Sequence, residues 1–467
     1  MFLILFILHS VVPISHSTSN TNSSTCRNQF LWPFNESSIW NTPIGSSAEF
    51  IPANLYDSAT GKRRPPTQFH NDQDWIILTT EGDPSTPWID DSGRFPGGCI
   101  QLQKNATQQI SHFPSSLVVD CIANNNAAAI LFPDGETIIQ TQPLYRPYPS
   151  SPIISWYHQG APQRYPWSTN IYGDGNLGAH GGSGLSAIGG TIRLGELLGS
   201  HPIRHALKLE LWSKPYYYGG VPALQPETEA NGGRNQYVWP ATGSDGGSNI
   251  PGSKGGLYNG TNRWLAPGSL LALPKDIVSK IQTTTLIGEK IKQALTNYGG
   301  YIVDDTGSKQ NGAAICMEPG VVLEIERAYN VSFNITNPVS KGKSDADTAV
   351  YEDLLLIFQY LHVVKNNGPL SIGGGGNTTF DFVPPPSFCQ EAPVKGVLHQ
   401  VDTCNECDEE WCGGYLESSP DVEKGYTVGE KLSTWGCDNV IKGMTRVRNC
   451  DTEVVYIVDA TAVKYCT

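Results

Sequence analysis

The chain has 467 residues, a formal net charge of −13, only 16% charged residues, 49 glycines and 33 prolines. Nucleic acid is a poor partner for it, because a phosphate backbone needs clustered cations and Lys62, Arg63 and Arg64 are the only basic cluster. The Gly/Pro-rich, charge-poor composition favours short strands and loops over long helices, and the length suits one large β-domain with a small module, or two or three domains.

Taken in chain order, the apolar run from Met1 to Leu8, resumed at Val11 and Val12 and ending in small residues by Ser17, predicts a signal peptide over 1–17, although it has no basic leading segment. The run stops short of the roughly 20 residues a spanning helix needs, so no membrane span is expected. The final residues carry no hydrophobic tail of the kind replaced by a lipid anchor. A secreted, extracellular protein follows. Asn22, Asn35, Asn105, Asn259, Asn330, Asn334 and Asn377 each begin an Asn-x-Ser/Thr triplet, so a glycoprotein with these asparagines facing solvent is expected.

The main domain is expected over 26–368. Residues 74–79 and 116–120 read as buried strands. Residues 129–132 and 136–141 flank Pro133, Asp134 and Gly135 and predict a hairpin, because Pro pre-sets one turn dihedral and Gly accepts a positive φ. Residues 207–212 alternate apolar and charged side chains and predict a strand with one solvated face. Ile287, Ile291, Leu295 and Tyr298 recur at helical spacing within 284–298, with Gly299 as C-cap and a return strand at 301–303. A second helix is expected over 345–364, ended by Asn366, Asn367 and Gly368. The predicted class is mainly β, a sandwich or jelly-roll-like domain with two packed helices. Four consecutive glycines, 373–376, and three prolines, 384–386, predict a linker over 369–388, followed by a disulfide-rich module over 389–467.

Eleven cysteines suit the oxidising compartment. Cys26, Cys99, Cys121 and Cys316 lie in the main body, where two bridges are expected. Cys389, Cys404, Cys407, Cys412, Cys437, Cys450 and Cys466 lie in the tail. Seven is odd, so a bridge between domains, a disulfide-linked oligomer and an unpaired buried cysteine all stay open. Zinc at Cys404 and Cys407 is outweighed by the absence of a second Cys-x-x-Cys pair.

In the tail, Trp411 to Glu417, Thr434 to Cys437, Val447 to Cys450, Val454 to Ile457 and the Tyr-Cys-Thr terminus resemble the cysteine-rich module that precedes the zona pellucida domain in uromodulin and related animal glycoproteins. A cysteine shortly before Tyr465 and the zona pellucida domain itself are missing. The resemblance covers about a sixth of the chain and implies an extracellular interaction or spacer module. Residues 172–212, with 237–240 and 294–305, resemble an uncharacterised group of secreted bacterial proteins found beside carbohydrate-related modules. That resemblance implies one continuous main domain and transfers no activity.

The densest chemical neighbourhood is 172–212, where Gly-rich sequence carries Tyr172, Asp174, His180, Arg193, Glu196, Arg204 and His205, with His158 just before it. A polysaccharide lyase needs a base to take the proton α to a uronate and a cation to neutralise the carboxylate. His180 or His205, with Arg193 or Arg204 and Tyr172, supplies those parts. A hydrolase needs two carboxylates about 5 to 9.5 Å apart, for which Asp174 with Glu196 or Asp245 is the candidate pair. Structural roles stand beside these, including an Arg193–Glu196 ion pair. Asp90–Asp91, Asp304–Asp305 and Asp345 with Asp347 offer oxygen to Ca²⁺ without a full calcium-loop spacing, and otherwise no cofactor is expected. His180, His201 and His205 bind a metal only if folding gathers them. Trp156, Tyr157, Trp167, Tyr216, Tyr217 and Tyr218 lie in Gly/Pro-rich surroundings and suit sugar stacking, the tyrosine triplet being expected at the surface. Two functions follow. One is an acidic glycoprotein of an extracellular, mineralised or polysaccharide matrix, linked to partners through its tail. The other is a polysaccharide-active lyase or hydrolase. A cleft gathering His180, His205 and Arg193 favours the second.

Overall fold

The computed structural model describes residues 27, 29–55, 66, 68–90, 106, 108–119, 126–149, 151–157, 167–199, 201–223, 236–244, 258–306, 312–329, 335–336, 345–380, 382, 384–388, 411–415, 431–435, 444–449 and 455–459. The first part contributes β1 (Phe50–Pro52), β2 (Gln68–Leu78), β3 (Thr86–Asp90), β4 (Gln108–Ile110), β5 (Ala127–Leu131), β6 (Thr137–Tyr145), β7 (Ile153–Tyr157) and β8 (Trp167–Asn170). A long Gly-rich stretch then leads to β9 (Leu207–Leu211), α1 (Ser213–Tyr216), β10 (Leu270–Ala272), α2 (Lys275–Val278), α3 (Leu286–Asn297) and β11 (Gly300–Asp305). β12 (Gly312–Met317), α4 (Val321–Tyr329), β13 (Ile335–Thr336), α5 (Asp345–Gln359) and β14 (His362–Val364) follow.

The chain is mainly β. These strands form one mixed 14-stranded sheet in the order β1-β14-β10-β11-β9-β12-β2-β5-β6-β7-β3-β4, with β13 added to β2 and β8 to β6. The pairs β11–β9, β12–β2, β2–β5 and β3–β7 are parallel. A separate four-stranded antiparallel sheet is built from β15 (Trp411–Tyr415), β16 (Lys431–Trp435), β17 (Met444–Asn449) and β18 (Val455–Asp459).

The hairpin forms as its turn chemistry predicts: β5 pairs antiparallel with β6, and Gly135 sits at φ 72°, where a Cβ would be strained. The 284–298 helix forms as α3. Thr285 caps it by accepting from the Gly288 N–H, and buried Asp353 of α5 receives the N–H groups of Thr284 and Thr285. Ile287, Ile291 and Leu295 of α3 join Leu354, Ile357 and Phe358 of α5 in the core on one side of the central strands. Each such side chain contributes roughly 1.5–3 kcal/mol on burial.

Three expectations are corrected. The second helix stops at Gln359, because residues 362–364 pair with β1 and β10 as a strand instead. Of residues 116–120, those described, 116–119, make only a single bridge, Val119 with Arg146. Residues 369–388 are no free spacer where they are described. Gly45 and Ser47 donate to the carbonyls of Gly373 and Gly375, and a Cβ on Gly373 would lie 2.2 Å from the Pro43 carbonyl oxygen. Phe380 and Phe382 then pack on Tyr298, and Phe388 on Tyr172 and Arg27. Gly373, Gly374 and Gly376 serve close approach to neighbouring atoms at positive φ.

Residues 1–26 lie outside the described residues, so the expected signal peptide does too. Among the described residues no helix is long and apolar enough to cross a membrane. Of the sequon asparagines, Asn259 and Asn377 are exposed and Asn35 is half-buried. Asn22, Asn105, Asn330 and Asn334 lie outside the described residues.

Candidate functional site

The central strands carry a buried charged face. On β9, Leu207, Leu209 and Leu211 point into the helix-covered core, so the alternate side chains Lys208 and Glu210 point the other way. That other face is not solvated: Lys208 is 0% and Glu210 2% exposed. The expectation of a solvated face fails because a second core, holding Trp40, Ile76, Tyr301, Val303 and Cys316, covers it. Register fixes the neighbours. Asp304 of β11 pairs with Glu210, Ala314 of β12 pairs with Glu210 on the other side, and Cys316 of β12 pairs with Asp72 of β2. Asp74 follows two residues along β2 on the same face. Four carboxyls, a lysine and a thiol are thereby set on one stretch of sheet.

The Gly-rich stretch lays His180 over this face. Its N–H donates to the Leu185 carbonyl, and the Ser183 N–H donates to Val303 of β11. Gly181, at φ 51°, approaches so closely that a Cβ would lie 2.2 Å from Asp304 Cγ. Asp304 Oδ1 accepts from the N–H groups of Gly182 (3.2 Å) and Asp305 (2.7 Å). His180 Nε2 lies 3.0 Å from Asp74 Oδ1, 3.8 Å from Asp72 Oδ2 and 3.4 Å from Cys316 Sγ. Cys316 Sγ is in turn 3.8 Å from Glu210 Oε1. Asp74 Oδ2 accepts from Lys208 Nζ at 2.8 Å and Thr191 Oγ1 at 2.7 Å.

The electrostatics follow from burial. Burial raises the Asp74 carboxyl, but Lys208 and His180 outweigh it and hold the group below its ordinary value. Burial pushes Glu210 well above the carboxylate range, with the Asp72 and Asp304 carboxyls adding to it. Asp72 is raised chiefly by burial, with Asp74 adding and His180 opposing. Burial and then Asp74 and Glu210 push the Cys316 thiol well above its usual value. Cys316 is a free, buried cysteine. The bridge expected of it does not form, because β12 turns it inward against His180 and Glu210. The other ten cysteines lie outside the residues whose side chains are described.

A second buried network holds His205, Glu196 and Arg193 of the sequence-predicted catalytic set. Arg193 Nε donates to Glu318 at 2.9 Å and Nη1 to the Phe30 carbonyl at 2.6 Å. Glu196 Oε2 receives the Arg193 N–H at 2.7 Å and His205 Nε2 at 3.1 Å, while His205 Nδ1 meets the Ala206 carbonyl at 2.8 Å. Both ring nitrogens thus face acceptors. Burial lowers the His205 pKa, but Glu196 and the Ala206 carbonyl raise it above the ordinary value overall. Burial raises Glu196, but His205 and Arg193 bring it below its ordinary value. The expected Arg193–Glu196 ion pair is replaced by Arg193–Glu318 and His205–Glu196.

The catalytic set is therefore not assembled in one cleft. His180 lies over the acidic face, while His205, Glu196 and Arg193 lie in the second network. Arg204 stacks near Trp32 with its Cζ 5.8 Å from the ring centroid, and Tyr172 packs on Phe388. Of the hydrolase candidates, Asp174 accepts from Asn176 in an exposed turn and Glu196 is held by His205 in the second network. His201 does not join His180 and His205; it is exposed and its carbonyl receives Lys290 Nζ. Asp304 and Asp305 do not act together, because successive strand residues face opposite ways; Asp305 caps α1 by accepting from Ser213 N and Oγ. Tyr216 and Tyr217 are 2% and 0% exposed, and Tyr218 is half-buried, so the triplet is not a stacking surface. Tyr217 is drawn inward because its hydroxyl donates to the Asp304 carbonyl and accepts from the Leu211 N–H. The side chains of Trp156, Tyr157 and Trp167, and residues 158 and 245, lie outside those described.

At the surface, residues 202–204 and α3 border a groove lined by Arg204, Lys292, Gln293, Asn297, Tyr298 and Phe380. Lys292 is neutralised by Glu289 at 2.5 Å, leaving Arg204 as the groove's unpaired cation among the described lining residues. Burial pushes the Tyr298 phenol up to about 12, with Arg204 pulling the other way.

No family model matches the chain, and neither curated proteins nor solved structures gave a significant match.

Proposed function

We propose that the chain is a secreted acidic glycoprotein of an extracellular matrix that binds polysaccharide through its main domain and joins partners through its cysteine-rich tail. The observation that carries this is the groove beside α3. A guanidinium, two side-chain amides and the half-buried Phe380 line an open trough, with Tyr298, 3% exposed, beneath them. This is the donor-rich, partly aromatic lining that an acidic glycan fits. The dispersal of His205, Arg193, Arg204 and Tyr172 away from His180 also supports binding over lyase chemistry. The −13 charge suits mineral cations as a second matrix component. The tail's resemblance to the module preceding zona pellucida domains suggests how neighbours are linked, its odd cysteine allowing a disulfide-linked oligomer. The test is co-sedimentation with a uronate-containing polysaccharide. Arg204→Ala with Gln293→Ala should lower the bound fraction about tenfold in affinity, roughly the value of one charged hydrogen bond. Unchanged binding would remove the groove from the account.

A polysaccharide-active enzyme has one observation in its favour: His180, Glu210 and Asp304 bring donor atoms within 4.8 Å of one another at a largely buried spot. New reducing or unsaturated ends that disappear in Asp304→Asn would establish it. Polysaccharide bound and left intact would exclude it for that substrate.

A further inference from the structure

We infer that Asp72, Asp74, His180 and Cys316 form a four-coordinate site for one divalent ion of the zinc class. One atom from each residue, the four lying within 4.8 Å of one another, makes a mixed oxygen, nitrogen and sulfur set. The separations measured from His180 Nε2 are 3.0 Å to Asp74 Oδ1, 3.4 Å to Cys316 Sγ and 3.8 Å to Asp72 Oδ2. A tetrahedral ion with bonds of about 2.0–2.1 Å to nitrogen and oxygen and about 2.3 Å to one sulfur places its donors about 3.3–3.6 Å apart. The three separations from His180 Nε2 lie within about half an ångström of those distances, and the remaining donors lie within 4.8 Å of one another.

An unpartnered acceptor points to the same occupant. Asp72 Oδ2 is buried, faces His180 and makes no hydrogen bond, although the same carboxyl is hydrogen-bonded to Glu210; in proteins such buried atoms are almost always paired. Asp74 Oδ1 is in ion-pair contact with His180 Nε2 at 3.0 Å, while its other oxygen is committed to Lys208 and Thr191. A thiol and an imidazole in the set select a borderline-soft ion, whereas Ca²⁺ and Mg²⁺ take oxygen alone. Four protein donors close the site, which makes it a clamp joining β2, β12 and the Gly-rich stretch, with no open position for substrate. It stands whether or not the groove binds glycan.

The test uses the full secreted chain, stripped with a chelator and titrated with Co²⁺. One equivalent is expected, giving the visible bands of tetrahedral cobalt and a near-ultraviolet thiolate-to-cobalt band, both displaced by Zn²⁺. In Cys316→Ser the thiolate band should vanish, and in His180→Gln the affinity should fall about a hundredfold or more. His205→Gln, in the other network, should leave the spectrum unchanged. Should Cys316→Ser fail to fold, metal analysis of the untreated wild type decides, one zinc-class ion per chain being expected. Folded wild type with no thiolate band and no bound metal, or a band that survives in Cys316→Ser, would overturn the assignment.

Discussion

Two charged networks lie inside the same sheet domain and are finished differently. Around Arg193, nearly all charges come in donor–acceptor pairs: Arg193 with Glu318 and Phe30, His205 with Glu196 and Ala206, and Lys290 with three carbonyls, leaving one buried donor, Arg193 Nη2, without a partner. Around His180, the carboxyls of Asp72, Asp74, Glu210 and Asp304 outnumber the cations, and buried atoms are left without partners. A buried network that closes on itself holds a fold together and asks for nothing more. One with surplus acceptors asks for protons or an ion. The difference separates residues that merely look catalytic in sequence from residues whose surroundings call for a ligand.

The largest effect should come from the one lysine in the acidic face. Lys208→Met removes the lysine partner of Asp74 at a fully buried position and should lower stability by about 3–5 kcal/mol, read from urea unfolding, because the buried carboxylate keeps only His180 and Thr191. A loss below about 1 kcal/mol would mean the two networks do not differ as described. Next, Gly181→Ala puts a Cβ against Asp304 at a positive φ and should cost about 2–4 kcal/mol by the same assay, whereas Gly195→Ala, also at positive φ but with open space around it, should cost only about 1 kcal/mol. Equal losses would show that packing of the Gly-rich stretch on the acidic face is unimportant.

The closed network gives a smaller, pH-dependent signature. The raised His205 pKa contributes stability that is fully present below the unfolded value near about 6.5 and is lost as pH rises through the folded value. The depressed Glu196 pKa contributes stability present above about 4.3 and lost as pH falls through its folded value. The difference between wild type and His205→Gln should therefore peak between those limits, at about 1–2 kcal/mol, and shrink in alkali. A difference independent of pH would mean the imidazole is uncharged in the fold. Smallest of all, Arg204→Ala should leave the unfolding midpoint within about 0.5 kcal/mol of wild type while weakening glycan binding, since its role is at the surface.

Much of the fold was legible because it rests on local rules. The Pro-Asp-Gly turn between β5 and β6, the helical spacing of Ile287, Ile291 and Leu295, and the return strand at 300–305 each follow from a few neighbouring residues. The site was less legible because alternation in a strand tells which side chains share a face and not what covers that face. Lys208 and Glu210 read as solvated for this reason, and Asp72 went unnoticed two residues before a recognised strand. The available signal was charged residues at alternate positions in two strands, Asp72 and Asp74 in one and Lys208 and Glu210 in the other, in a chain with a glycine-rich stretch able to lie over them. His180 was found because its surroundings are chemically dense, but its partners come from strands far away in sequence. Cys316 was assigned to a bridge by compartment alone, which says nothing of the direction in which β12 turns its thiol.

The account turns most directly on the unfolding midpoint of the full chain measured with saturating Zn²⁺ and again with excess chelator, for wild type and Cys316→Ser side by side. An ion that binds only the folded chain at a hundred times its dissociation constant adds about 2.7 kcal/mol. In a domain of this size the wild-type midpoint should fall by several degrees on chelation, while Cys316→Ser should respond far less. Equal midpoints for wild type with and without metal would contradict the claim that the acidic network is completed by an ion.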